Sequence, residues 1–155
     1  MELVIADSPI PPNMNIKGFS HKLGSSTLSF YATKELKATL KGDFPDNMEN
    51  TPMLIPSEGA AVRNNLMRWF HEKKVHPQIV GEFDDSALMK VFGFAGTGIL
   101  VAPTVLEPIL KKEGNLQPIG RVDELSEQYF AISVEKQIKN PDIKAITERA
   151  QNWLQ

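Results

Sequence analysis

Gly81-Glu-Phe-Asp-Asp-Ser-Ala-Leu-Met-Lys-Val-Phe-Gly-Phe-Ala-Gly-Thr-Gly-Ile-Leu-Val-Ala-Pro103 is the stretch whose reading decides the fold. Asp84, Asp85 and Ser86 are all residue types that cap a helix, because a side-chain oxygen can accept from a free N–H of the first turn. Leu88, Val91, Phe92 and Ala95 come next at helical spacing and share one face. Gly93, Gly96 and Gly98 break that pattern and permit a reversal. Ile99-Leu-Val-Ala is then a continuous apolar run of strand length, closed by Pro103. A strand that feeds a helix and is succeeded by a second buried strand is a βαβ unit. In open α/β sheets of this kind, ligands bind at the strand-end loops.

Working outward, the same alternation recurs. Leu3-Val-Ile-Ala reads as a short buried strand that starts abruptly, as though the chain began inside a domain. Pro9-Ile-Pro-Pro-Asn13 reads as a crossover or hinge, since prolines cannot continue a ladder. Thr27 to Ala32 is a strand that runs into Thr33, the cap of a short helix ending at Gly42. Pro52-Met-Leu-Ile is another strand, and Ser57 is placed to cap the helix after it. Val62, Leu66, Trp69, Phe70 and the stem of Lys73 share one face of that helix, over 59–74. The strand 77–83 leads into the central unit. After it, Thr104-Val-Leu-Glu107 has the form of a capping box opening a helix that stops at Gly114. Leu116 to Ile119 and Tyr129 to Val134 are further strands. Pro141 opens a last helix whose stripe, Ile143, Ile146, Ala150, Trp153 and Leu154, needs a sheet to cover it. Together these predict an α/β fold, a mainly parallel sheet with helices on both faces.

Composition narrows the class. The 155 residues suit one domain, or one lobe with part of another; 41% are apolar and 23% charged. No apolar run approaches the roughly 20 residues a membrane span needs, and the acidic start does not resemble a signal peptide. There are no cysteines, which removes disulfides and thiolate chemistry and suits a cytoplasmic location. A net charge of −2 without a basic block argues against direct nucleic-acid binding by these residues, which depends on clustered Lys and Arg.

The search for chemistry removes most candidates. His21, His71 and His76 have no ligand partner at i+3 or i+4, so zinc is not expected. Asp43, Asp46 and Glu49 lack the spacing and the glycine of a calcium loop. Gly93 to Gly98 runs from helix to strand, the reverse of a phosphate cradle. No nucleophile elbow or phosphate-loop lysine occurs, so an enzyme is not expected. Two loops remain, Ser57-Glu58 and Phe83-Asp84-Asp85-Ser86, each where a strand meets a helix on the same sheet edge. They either cap helices or face a cleft, where N–H groups attract anions and oxygens take up hard cations. Trp69 and Phe70 are either core or part of a partner surface.

The central block, with Val101-Ala-Pro-Thr104, Ile119-Gly-Arg-Val122, Glu127-Gln-Tyr-Phe-Ala-Ile-Ser-Val-Glu135, Asn65-Leu-Met-Arg-Trp-Phe70 and the opening Leu-Val-Ile-Ala-Asp-Ser-Pro-Ile-Pro-Pro, resembles the effector-binding domain of LysR-type transcriptional regulators. Within that family it is most similar to the sodium-responsive activators of Na⁺/H⁺ antiporter operons. The resemblance implies a type II periplasmic-binding-protein-like fold of two lobes joined by crossover strands. Residues 9–125 would form the second lobe, and 1–8 with 126–155 the remnant of the first. It implies an effector between the lobes, touching Asp7, Ser8, Ser57, Glu58, Phe83, Asp84, Asp85 and Ser86, with Na⁺ held through Asp84 and Asp85 and no other cofactor. It also implies a homodimer or tetramer of the full-length regulator, with Arg63, Met67, Trp69, Phe70, Gln78 and Val80 on the dimer face. DNA would be bound only through a helix-turn-helix missing from this chain, and RNA polymerase would be a partner of the full-length protein; a membrane would not. Two other readings fit the same residues, a stand-alone solute-binding protein of this fold and a LysR-type sensor of a small organic anion.

Overall fold

The computed structural model describes residues 3–6, 19–133 and 141–154. The chain divides into two compact units, Thr27–Ser126 and the combination of Met1–Ser26 with Glu127–Gln155. The lobe boundary at residue 8 that the resemblance implies lies outside the described residues; the division by contacts is at Ser26, inside a 15-residue strand whose first part packs with the C-terminal helix. Pro9–Asn13, expected as a hinge, lies outside the described residues.

The larger unit is built on β3 (Pro52–Pro56), β4 (Gln78–Phe83) and β5 (Leu100–Pro103), which run parallel. The second half of β2 (Phe19–Thr33) is antiparallel to β5, with Tyr31 opposite Leu100 and Leu28 opposite Pro103. On its other side β2 neighbours β6 (Leu116–Ser133). The hydrogen-bonded strands thus form two sheets, the parallel pair β3–β4 and a four-stranded sheet in which β2 lies between β6 and β5, and a parallel bridge between Met53 and Ile99 connects β3 to the start of β5.

Strict alternation along these strands sends side chains to two cores. Leu28, Phe30, Ala32, Met53, Ile55, Ile99 and Val101 face one way, against Leu66, Trp69 and Phe70 of α2 (Arg63–Lys73). Tyr31, Leu54, Leu100 and Ala102 face the other way, against Met89 of α3 (Ser86–Phe94) and Leu110 of α4 (Glu107–Gly114). This is the pattern of a sheet covered on both faces. Phe30 sits among Phe44, Trp69 and Phe70 with ring centroids 5.6–5.9 Å apart, within the range where aromatic pairs add to burial.

The helices depart from the periodicity in instructive ways. Thr33 caps α1 (Lys34–Ala38) as expected, its hydroxyl accepting from Leu36 N at 3.2 Å; the helix ends at Ala38, with Thr39 as its C-cap, rather than at Gly42. Ser57 does not cap α2, which begins six residues later behind Val62 with no side-chain cap. Lys73 is exposed, so the buried face ends at Phe70. In α3 the apolar face of Leu88, Val91 and Phe92 is turned outward, while Met89 and Gly93 are buried. Gly93 is the reason: a Cβ there would lie 2.1 Å from Leu100 Cδ2, so the helix seats on β5 at its one bare position. The acidic stretch Asp43–Asn50 folds into a 3-10 turn, Asp46–Met48, that buries Met48.

In the smaller unit β1 (Leu3–Ala6) is antiparallel to the end of β6, from Leu3 opposite Ser133 to Ala6 opposite Phe130. The helix α5 (Pro141–Leu154) packs on the first part of β2: Gln151 Nε2 donates to Lys22 O at 3.0 Å. A Cβ at Gly24 would come within 2.9 Å of Leu154 Cβ, so glycine sets that approach. Thr147 and Leu154 are buried, whereas Ile146 and Trp153, expected in the covered stripe, are exposed.

Candidate functional site

Parallel pairing brings three strand exits to one edge. Pro56 is in register with Phe83, and Ser57 N donates to Phe83 O at 2.9 Å. Ser57 and Asp84 are thereby placed side by side, and the Ser57 hydroxyl donates to Asp84 Oδ1. Of the three candidate caps for α3, Asp85 is the one used; its Oδ1 accepts from Ala87 N at 2.8 Å. That bond satisfies a free first-turn N–H, and the carboxylate sits where the helix dipole favours negative charge.

The two loops left by the sequence search are thus joined, with Ser57 half-buried and Glu58, Asp84, Asp85 and Ser86 exposed. Phe83 is half-buried, its ring 5.3 Å from Phe92. Arg63 reaches the same edge from α2, donating to Pro56 O at 3.0 Å and pairing with Glu82 at 2.5 Å. That cation is already committed, so among the described residues the edge presents carboxylates. They form no group of three metal-ligating side chains. Asp7 and Ser8 lie outside the described residues.

Sequence reading missed the third exit. Thr104, read as the first residue of a capping box, makes no cap: a 3-10 turn, Thr104–Leu106, intervenes and α4 starts at Glu107. The Thr104 hydroxyl instead lies 2.9 Å from Thr27 Oγ1 and 2.7 Å from Ser29 Oγ. Tyr31 is next on that face of β2, wholly buried, and its hydroxyl has no hydrogen bond of ordinary length and angle. Burial pushes its pKa above the usual 10, a long hydrogen bond to the Ser29 hydroxyl partly counters this, and the Glu107 carboxylate adds to it. The readable signal was Thr27-x-Ser29-x-Tyr31, three hydroxyls at strand spacing opposite Leu28, Phe30 and Ala32.

The six residues expected on a dimer face separate. Trp69 and Phe70 are buried in the core, Met67 packs half-buried against it, and Arg63 is held by Pro56 and Glu82. Gln78 and Val80 are exposed on β4, an edge strand whose one strand partner among the described residues is β3. A groove of about 300 Å³ opens beside Trp69, whose Nε1 donates to Glu124 Oε2 at 3.1 Å. None of its lining residues belongs to the strand-exit edge.

Parallel strand exits covered on both faces by helices, with polar groups gathered where the strands end, make this an α/β domain of the kind whose strand-end loops hold ligands. This chain belongs to the LysR substrate binding domain family, which matches residues 6–155. It is 33% identical over 146 residues to the transcriptional activator protein NhaR of Escherichia coli (strain K12), covering 94% of this chain and 48% of that protein. The chain therefore spans about half the length of that activator. In fold it is similar to the effector binding domain of AmpR from Citrobacter freundii, with a TM-score of 0.68 at 15% identity over 99% of this chain and 74% of that one. It is also similar to the full-length hypochlorite-specific LysR-type regulator HypT from Salmonella typhimurium, with a TM-score of 0.64 at 14% identity over 97% of this chain and 51% of that one. The type II periplasmic-binding-protein-like fold expected from the sequence is the fold of these domains. No described helix is long and apolar enough to cross a membrane.

Proposed function

We propose that this chain is the effector-sensing part of an NhaR-like, LysR-type transcriptional activator that responds to sodium or pH stress in the cytoplasm. The observation that carries the reading is the joined pair Ser57–Asp84 at the strand exits, in a chain one-third identical to NhaR over nearly all its length. An effector acts by binding one conformation better than another. Moving a regulator from mostly inactive to mostly active takes roughly 5 kcal/mol of such preference. With Arg63 committed to Glu82, the carboxylates Asp84 and Asp85 favour a cation over a small organic anion, and we take Na⁺ as that cation. The exposed edge strand β4, through Gln78 and Val80, is the surface we assign to a homodimer or tetramer. DNA is bound through a helix-turn-helix outside these 155 residues, and RNA polymerase is the downstream partner of the whole regulator.

The test is small-angle scattering of the chain in NaCl and in KCl at equal ionic strength. Na⁺ alone is expected to change the profile, and Asp84→Ala and Asp85→Ala to abolish the change. An unaltered Na⁺ response in both variants removes these residues from the sensor. A response to a small carboxylic acid in place of Na⁺ makes it a sensor of organic anions.

A further inference from the structure

The groove beside Trp69 is built from one stripe of α2 and one segment of β6. Arg68, Trp69 and Glu72 come from the helix, and Glu124 and Leu125 from the part of β6 inside the larger unit. The buried Trp69 and Leu125 supply an apolar floor. The charged lining residues are Arg68, Glu72 and Glu124, all exposed. Glu124 is held in place, because its Oε2 accepts from the indole Nε1 at 3.1 Å, and its other oxygen is left for a ligand. Arg68 and Glu72 pair neither with each other nor with any other described residue. Helical order is the reason. An acid four residues before a base is the favourable arrangement, as in Glu107–Lys111 at 3.2 Å, and Arg68–Glu72 has the reverse.

We infer that this groove is a binding site for a basic amino acid, a small molecule with one carboxylate and two cationic groups. Its volume of about 300 Å³ is at the lower limit of ligand pockets, which suits one amino acid and not a peptide. The charges identify the class. An uncommitted guanidinium presents a planar fork that grips a carboxylate through two bonds. Glu72 and Glu124 call for two cations, and a neutral amino acid supplies only one. A diamine would set a cation against Arg68, and a dicarboxylic acid would set anions against both glutamates. The methylene stem of a lysine or arginine lies well along apolar surface, here that of Trp69 and Leu125. The groove shares no residue with the Ser57–Asp84 pair, so it stands or falls apart from the proposed sensor reading.

The experiment is equilibrium dialysis of the whole chain against labelled L-lysine and L-arginine, with cadaverine and L-norleucine as unlabelled competitors. At least one of the two basic amino acids is expected to bind saturably. Cadaverine lacks the carboxylate and norleucine the second cation, so each should compete at least about tenfold more weakly. Arg68→Gln and Glu72→Gln alter exposed side chains and are expected to fold. Each should weaken binding at least about tenfold, and Asp84→Ala should leave it unchanged. Absence of saturable binding for both amino acids overturns the inference. So does binding that survives either groove variant, that is lost in Asp84→Ala, or that cadaverine or norleucine displaces as well as the basic amino acid itself.

Discussion

The two ends of the strand-exit edge are built on opposite principles. At one end Ser57 and Asp84 meet at the surface, joined by a hydroxyl–carboxylate bond with Glu58 and Asp85 exposed around them. At the other end the hydroxyls of Thr27, Ser29 and Thr104 share hydrogen bonds under partial cover, beside the wholly buried Tyr31. Water screens the first end, so its charges contribute little to stability and remain available to a ligand. The second end is shielded, so each unmet bond is costly. The first end suits a ligand, and the second contributes more to stability.

Substitutions separate the ends by magnitude. Tyr31→Ala removes a wholly buried ring and is expected to cost about 3–5 kcal/mol in denaturant unfolding. If it costs under about 1 kcal/mol, the ring is not packed in a closed core. Thr104→Val keeps the volume but strips Ser29 of its partner, with an expected loss of about 1–3 kcal/mol.

Alkaline pH probes the same end. The Tyr31 pKa is raised in the folded state, so the folded chain holds its proton where the unfolded chain releases it. That contribution is complete below about pH 10, the unfolded value, and is lost as pH climbs toward the folded pKa, with a slope of at most about 1.4 kcal/mol per pH unit. Unfolding curves from pH 9 to 11 should show a shallower decline for Tyr31→Phe than for the native chain; parallel declines would remove Tyr31 as the cause. At the exposed end, Asp85→Ala is expected to cost about 1 kcal/mol through the lost cap of α3. Ser57→Ala, on the surface, should cost less than about 0.5 kcal/mol.

Two helices show how far the sequence could be read. Val62, Leu66, Trp69 and Phe70 lie at helical spacing and are buried against the sheet. Leu88, Val91 and Phe92 also lie at helical spacing, and they face solvent. Periodicity identifies which residues share a face. It does not say whether that face is covered, and in α3 the choice was made by Gly93, whose missing side chain lets the backbone close on Leu100. The strands were legible because alternation and turn residues are local. Capping was only partly so: Thr33 and Asp85 cap as their types suggest, while Ser57 and Thr104 form bonds to residues 27 and 75 or 77 positions away. A hydroxyl at a helix entrance has the same composition in both cases; only the register of β3 with β4, and of β5 with β2, decides which bond it makes.

Amide chemical-shift mapping tests the central claim most directly, that this domain receives its effector where the parallel strands end. A titration with Na⁺ is expected to move the amides of Ser57, Asp84, Asp85 and Ser86 saturably, and an equal titration with K⁺ to leave them in place. If those four amides stay fixed under Na⁺, or move identically under K⁺, the strand-exit edge is not the sodium sensor.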